Sequence, residues 1–227
     1  MELKLGSNEI YRDALLAASR RTGIDASALA ALVDAEAARR NGLWQADSYN
    51  RSSGAAGLTQ FLASTWIEQA QLPGTLLNRQ AAAAGYLVGG KVLAMREKAL
   101  LQWRFDPVLS IVAAAEYGAR NLALLAERGA LPAAIDDDER ARYMYLAHHE
   151  GVGGAIGFLS GTRRYSRRNL VGQVGETMAD GLIAASGGDA SRAYRAWLQG
   201  YIDRKIVPAR FRDEAVVQPP GRSASTM

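Results

Sequence analysis

Apolar residues recur at spacings of three and four through most of this chain, in long windows dominated by alanine and leucine. That period matches one face of an α-helix, and no window alternates long enough to argue for a sheet. With only 6 prolines among 227 residues, little interrupts the pattern, so an all-α fold is expected. An apolar share of 48% supplies a core, excludes disorder for most of the chain, and suits one substantial domain.

Helix start and stop signals divide the chain. A first amphipathic helix is expected over Glu9 to Arg21, ending near Gly23. A second is capped by Asp25 and runs from Ala26 to Arg40, with Asn41-Gly42 as its stop. Residues 43 to 57, rich in Asn, Ser and Gly, read as an ordered loop before a helix over 58 to 71. Further helices are expected at about 76–102, 107–128, 138–149, 175–186 and 189–204. The fold is expected to occupy 1–217, with 218–227, carrying Pro219-Pro220-Gly221, as a flexible tail.

The absence of cysteine removes disulfides, thiolate metal sites and cysteine nucleophiles. A formal charge of +4 and a pI near 9.5 give a mild attraction to polyanions. The opening Met1-Glu2-Leu3-Lys4-Leu5-Gly6 lacks an apolar signal core, and membrane insertion is not expected. The chain is thus expected to be made in the cytoplasm without a cleaved leader.

One residue breaks the apolar pattern where chemistry is conceivable. Leu29, Leu32 and Val33 form a helical stripe, and Glu36 stands at its next position. Burial raises a carboxyl pKa and can keep a glutamic acid protonated near neutral pH, ready to donate a proton. Helical spacing alone favours a plainer arrangement, a carboxylate at the stripe's edge paired with Arg39 or Arg40 in solvent.

Residues 50 to 66, Asn50-Arg51-Ser52-Ser53-Gly54-Ala55-Ala56-Gly57-Leu58-Thr59-Gln60-Phe61-Leu62-Ala63-Ser64-Thr65-Trp66, change that balance. The segment resembles lytic transglycosylases and phage endolysins of the lysozyme-like superfamily, in which a Ser/Gly-x-x-Gly-Leu-x-Gln motif follows a catalytic glutamate. Glu36 stands at the matching place. Phe105-Asp106-Pro107 with Ile111, Ala114 and Tyr117 is similar to the family's Asp-Pro-x-x-Asn-Ile helix. Leu146-Ala147-His148-His149-Glu150-Gly151 falls where the family carries Ala-Tyr-Asn-x-Gly. The resemblance covers about residues 22–155. The chain departs from the family's pattern with Ala37 for serine, Thr59 for methionine, Ala63 for proline, and His148-His149 for tyrosine and asparagine.

The resemblance implies a goose-type lysozyme or transglycosylase domain that cleaves the β-1,4 bond between N-acetylmuramic acid and N-acetylglucosamine in peptidoglycan. Glu36 would be the catalytic acid, with Gln60, His149, Tyr49, Ser53 and Gly57 along the sugar groove, and no cofactor or metal. A transglycosylase needs no second carboxylate, because the muramic acid's own C6 hydroxyl closes a 1,6-anhydro ring. A hydrolytic muramidase commonly needs one. Glu150 and Asp47 are the candidates, although Asp47 suits a turn, Glu150 suits a helix-end ion pair, and Glu68 suits a solvent face. Trp44 and Phe61 fit a core better than a sugar platform. Holin-like or secretion machinery would be needed to reach the wall.

Other signals are weaker. His148-His149-Glu150 lacks the i, i+4 histidine spacing of a zinc helix, so no metal is expected. Gly85 to Lys91 looks like a phosphate loop, but Val92 stands where Ser or Thr is required, so helix packing or a bend is expected. Arg163, Arg164, Arg167 and Arg168 form a basic cluster without a recognisable nucleic-acid module, and nucleic acid is not an expected partner. Asp136-Asp137-Asp138-Glu139 complements a helix N-terminus. The contrasting reading is a catalytically silent helical module that binds wall glycan or nucleic acid.

Overall fold

In a computed structural model, which describes residues 2–213, most of the chain is helical. Helix α1 (Arg12–Thr22) follows a 3₁₀ turn at Gly6–Tyr11 and ends on left-handed Gly23. Helix α2 (Ala26–Glu36) starts at Asp25, whose carboxylate accepts the Ser27 amide at 2.8 Å. Every residue from Ala26 to Val33 is buried, so α2 is enclosed on all sides rather than along one stripe.

The helix stops at Glu36, not Arg40, because Ala37 turns extended. Arg39–Arg40 (β1) then pairs antiparallel with Leu43–Trp44 (β2). Asn41 and Gly42 both have positive φ, as the two central residues of a tight hairpin require. The expected helix over 58–71 is shortened to α3 (Ala63–Gln71), the preceding residues staying in the loop. The expected helix over 76–102 is two, α4 (Leu76–Ala83) and α5 (Ala94–Gln102). Between them lies a second hairpin, β3 (Leu87–Val88) with β4 (Lys91–Val92), where helix packing or a bend was expected.

Helix α6 (Pro107–Glu127) has Asp106 as N-cap and proline in its first turn. It is long and apolar enough to cross a membrane by composition alone, with mean hydropathy 1.3, but 61% of that stretch is buried inside the molecule. It packs against α1, α2, α4 and α7 and organises the core. Helix α7 (Asp137–Leu159) begins with a capping box between Asp136 and Glu139 and runs ten residues past its expected end at 149. Gly151, at φ 69°, breaks its regularity one residue after Glu150. Helix α8 (Arg167–Val174), absent from the expected set, precedes α9 (Glu176–Ala185) and α10 (Ala190–Lys205).

One hydrophobic cluster runs from Leu3 to Phe211 through all the main helices. The expected boundary at 217 and the tail at 218–227 lie outside the described residues.

Candidate functional site

Glu36 sits on the last turn of α2, where the enclosed helix emerges from the core. Its neighbour Asp34 takes the nearby donors: Arg39 approaches at 2.5 Å and the Trp44 indole N–H donates at 2.9 Å. Arg39 is therefore engaged with Asp34, and Glu36 makes no ion pair among the described residues. The residue is half-buried and its carboxyl is enclosed. That enclosure pushes its pKa above the ordinary carboxylate value, partly offset by the Tyr145 hydroxyl and by His149.

An aromatic wall stands behind the carboxyl. Tyr145 stacks on His149 at 6.2 Å and on Tyr201 at 5.9 Å between ring centroids. Trp197 leans on His149 at 6.1 Å, and the Tyr201 hydroxyl donates to the Ala35 carbonyl at 3.1 Å. Burial holds the Tyr145 phenol well above its ordinary pKa, so it remains a neutral donor.

In front of Glu36 opens a groove of about 280 Å³ lined by Ala37, Ala38, Ser48, Tyr49, Asn50 and Gln60. The sequence places Gln60 and Tyr49 here, and the structure brings both to Glu36. Tyr49 is 56% exposed, leaving its ring available at the rim. Trp44 and Phe61 are core residues at 1% and 2% exposure. Gln60 has positive φ, 49°, and its side-chain amide donates to the Gly57 carbonyl at 2.8 Å. A glutamine held in that conformation marks a loop fixed by its surroundings.

Those surroundings are specific. Tyr49 and Phe61 each form a β-bridge with Ala56, folding residues 49–61 into a tight double turn. Arg104, 6% exposed, donates to the carbonyls of Gly54 at 2.9 Å and Phe61 at 3.0 Å. Thr59 shares a hydroxyl contact of 2.9 Å with Ser110 of α6. The His148 ring meets the Thr59 carbonyl at 3.1 Å, its Nε2 being the donor. A Cβ at Gly57 would stand 1.9 Å from the Arg104 carbonyl oxygen, so only glycine fits. Gly57 thus shapes the loop and does not line the groove. Ser53 likewise serves the turn, its hydroxyl accepting the Ala55 amide at 3.2 Å.

The remaining candidates lie apart. Asp47 is exposed in the turn before Ser48 and does not line the groove; its charge acts on Tyr11. Glu68 is exposed on α3. Glu150, 4% exposed at its side chain, is fully engaged: it accepts from the Tyr194 hydroxyl at 2.7 Å and the Tyr165 hydroxyl at 3.0 Å, and pairs with Arg163 at 3.2 Å. His149 contacts the Tyr194 hydroxyl at 3.3 Å. Because that hydroxyl gives its proton to Glu150, His149 Nε2 donates to it, which fixes the imidazole tautomer. His149 is not among the residues that line the groove.

Sequence reasoning missed Arg104 and Tyr145. Tyr145 precedes His149 by four residues, a helical spacing that places both on one face of α7 and was available as a signal. Arg104 acts through backbone carbonyls, which leave no trace in side-chain patterns. No protein-family model matches this sequence, and no curated protein is similar enough to match it.

Proposed function

We propose that the chain is a peptidoglycan-cleaving glycosidase of lysozyme-like fold, acting as a lytic transglycosylase with Glu36 as its single acid and base. The observation that carries this reading is an enclosed carboxyl with a raised pKa opening into a groove where no other lining residue is a carboxylate.

The chemistry follows from that arrangement. Protonated Glu36 gives its proton to the glycosidic oxygen as the C1–O bond breaks and an oxocarbenium-like centre develops. The C6 hydroxyl of the same muramic acid attacks C1 and returns its proton to Glu36, so the residue is restored within one turnover. Neither water nor a second carboxylate is consumed. The nearby Tyr145 hydroxyl favours the ionised form of Glu36, and the aromatic wall keeps bulk water from the back of the site. Tyr49 at the rim offers a flat face to a sugar ring, and Gln60 offers an amide for an N-acetyl or hydroxyl group. Glycan strands of peptidoglycan are the partner this site suits, reached through holin-like or secretion machinery.

The test is mass spectrometry of fragments released from purified peptidoglycan. The expected product carries 1,6-anhydro-muramic ends, and Glu36→Gln lowers its rate by at least about 100-fold, the scale of general-acid catalysis. Reducing muramic ends would replace the transglycosylase with a hydrolytic muramidase. No fragments from a folded wild type would leave a non-catalytic wall-glycan or nucleic-acid binding module.

A further inference from the structure

The loop after α7 and the first turns of α10 frame a second groove, of about 550 Å³, which shares no lining residue with the one at Glu36. Arg164, Arg192 and Arg195 line it together with Phe158, Asp189 and Ser191. The basic cluster seen in the sequence is divided by the fold. Arg163 is committed to Glu150 and Arg167 to Asp180 at 2.6 Å. Arg164, Arg192 and Arg195 make no ion pair among the described residues.

One carboxylate lines the groove, and it also caps a helix. Asp189 caps α10, one oxygen accepting the amides of Ser191 at 2.9 Å and Arg192 at 3.0 Å. Three arginines therefore line the groove against one carboxylate, one oxygen of which caps the backbone.

Arg195 supplies the decisive detail. Its guanidinium carbon lies 4.5 Å from the centre of the Phe158 ring, so the group rests over an apolar surface. Its Nη1 atom is shielded from solvent and has no acceptor among the described residues. A ring face balances part of the charge but offers no oxygen in the plane of the N–H bonds. The shielded Nη1 is closed to a ligand, but a guanidinium that no carboxylate neutralises leaves its charge for an oxyanion entering the groove.

We propose that this groove is a binding site for an oxyanion, phosphate or carboxylate, carried on a ligand of disaccharide or short-peptide size. Its volume falls in the range of small-ligand sites rather than that of a lone ion. Arg195 provides the pre-positioned charge, and exposed Arg164 and Arg192 line the groove with it. The site stands independently of the glycosidase reading, since it uses none of the Glu36 residues.

Isothermal titration calorimetry of the full chain with inorganic phosphate and with acetate, at ionic strength held constant with chloride, tests this. Saturable binding of either anion is expected, weakened about tenfold by Arg195→Met, which keeps an apolar stem on Phe158, and by Arg164→Ala, which alters an exposed residue. The anion that binds tighter identifies the ligand as a phosphate or a carboxylate. Glu36→Gln should bind the same anion with unchanged affinity, so loss of peptidoglycan cleavage and loss of anion binding are separable results. Absence of saturable binding beyond chloride, or affinity unchanged in both arginine variants, would overturn the proposal.

Discussion

His148 and Glu36 carry opposite pH dependences into the same fold. The His148 ring is packed edge-on against Phe61 at 5.7 Å and Tyr117 at 6.0 Å, with Nε2 donating to Thr59 and Nδ1 buried without a partner. Burial pushes it from 6.5 down to about 4. Between those values the unfolded chain binds a proton that the folded chain refuses, so stability is full above about 6.5 and is lost as pH falls toward about 4. That shift amounts to roughly 3 kcal/mol. In urea titrations, the wild type should lose about 2 to 3 kcal/mol more than His148→Asn on going from about pH 7 to about pH 4.5. Equal losses would show that His148 titrates normally. Glu36 has the reverse sign. Its raised pKa means the folded chain holds a proton that the unfolded chain has released, so stability declines as pH rises from 4.5 through the raised value. Glu36→Gln, always neutral, should therefore melt higher than the wild type at neutral pH, with the two curves converging in acid. Curves that coincide at every pH would mean the carboxyl is not enclosed.

At the scale of elements, the loop of residues 49–61 holds the site together. Arg104, Ser110 and His148 reach it from the 3₁₀ turn at Trp103–Phe105, from α6 and from α7, and Gly57 lets the chain pass against the Arg104 carbonyl. Gly57→Ala adds a clash and a strained positive φ, and should cost at least about 2 kcal/mol in melting experiments while displacing Gln60 and abolishing the proposed cleavage. A variant that melts and cleaves like the wild type would show that the loop is free to move. Aspartates mark several expected starts: Asp25, Asp106, Asp136 and Asp189 each open a helix close to its expected start, whereas the Ser166 capping box of α8 carries no apolar stripe long enough to be read from the sequence. The misreadings have local causes. Asn41-Gly42 serves a helix stop and a hairpin turn equally well, so the end of α2 expected at Arg40 lies four residues past the observed one. The alanine run before Gly85 carries helical propensity up to the second hairpin, which is only two residues per strand. Glu36 and Gln60 could be singled out through the motif that residues 50–66 resemble, and they line one groove with Tyr49. Tyr145 and Arg104 depend on packing between distant elements, which one-dimensional spacing does not encode.

For the molecule as a whole, the two ends of the described chain close on each other and on α2. Leu3 bridges antiparallel to Arg212, the Lys4 amide donates to the Phe211 carbonyl at 3.0 Å, and the Asp213 amide donates to Glu2 at 3.1 Å. Phe211, from the last 3₁₀ turn at Pro208–Phe211, tilts against Trp44 at 6.1 Å, and Trp44 stacks on Tyr11 at 5.8 Å. Arg212 extends the clamp to Ser27 on α2 at 2.8 Å and to Asp138 on α7 at 2.9 Å. Contacts that join the first residues, α2, the β1–β2 hairpin and α7 tie the terminal segments to the helix bearing Glu36, so loss of one should be felt at the others. Phe211→Ala leaves a cavity beside Trp44 and should cost about 3 kcal/mol, lowering the melting temperature by about 10 °C. Hydrogen exchange separates local from global loosening. The Lys4 amide, whose partner is the Phe211 carbonyl, should exchange faster along with the amides of α2, while α9, which packs chiefly on α8 and α10, keeps its protection relative to the new global stability. Faster exchange confined to Lys4 would show that the terminal clamp frays alone and does not support the helix that presents Glu36.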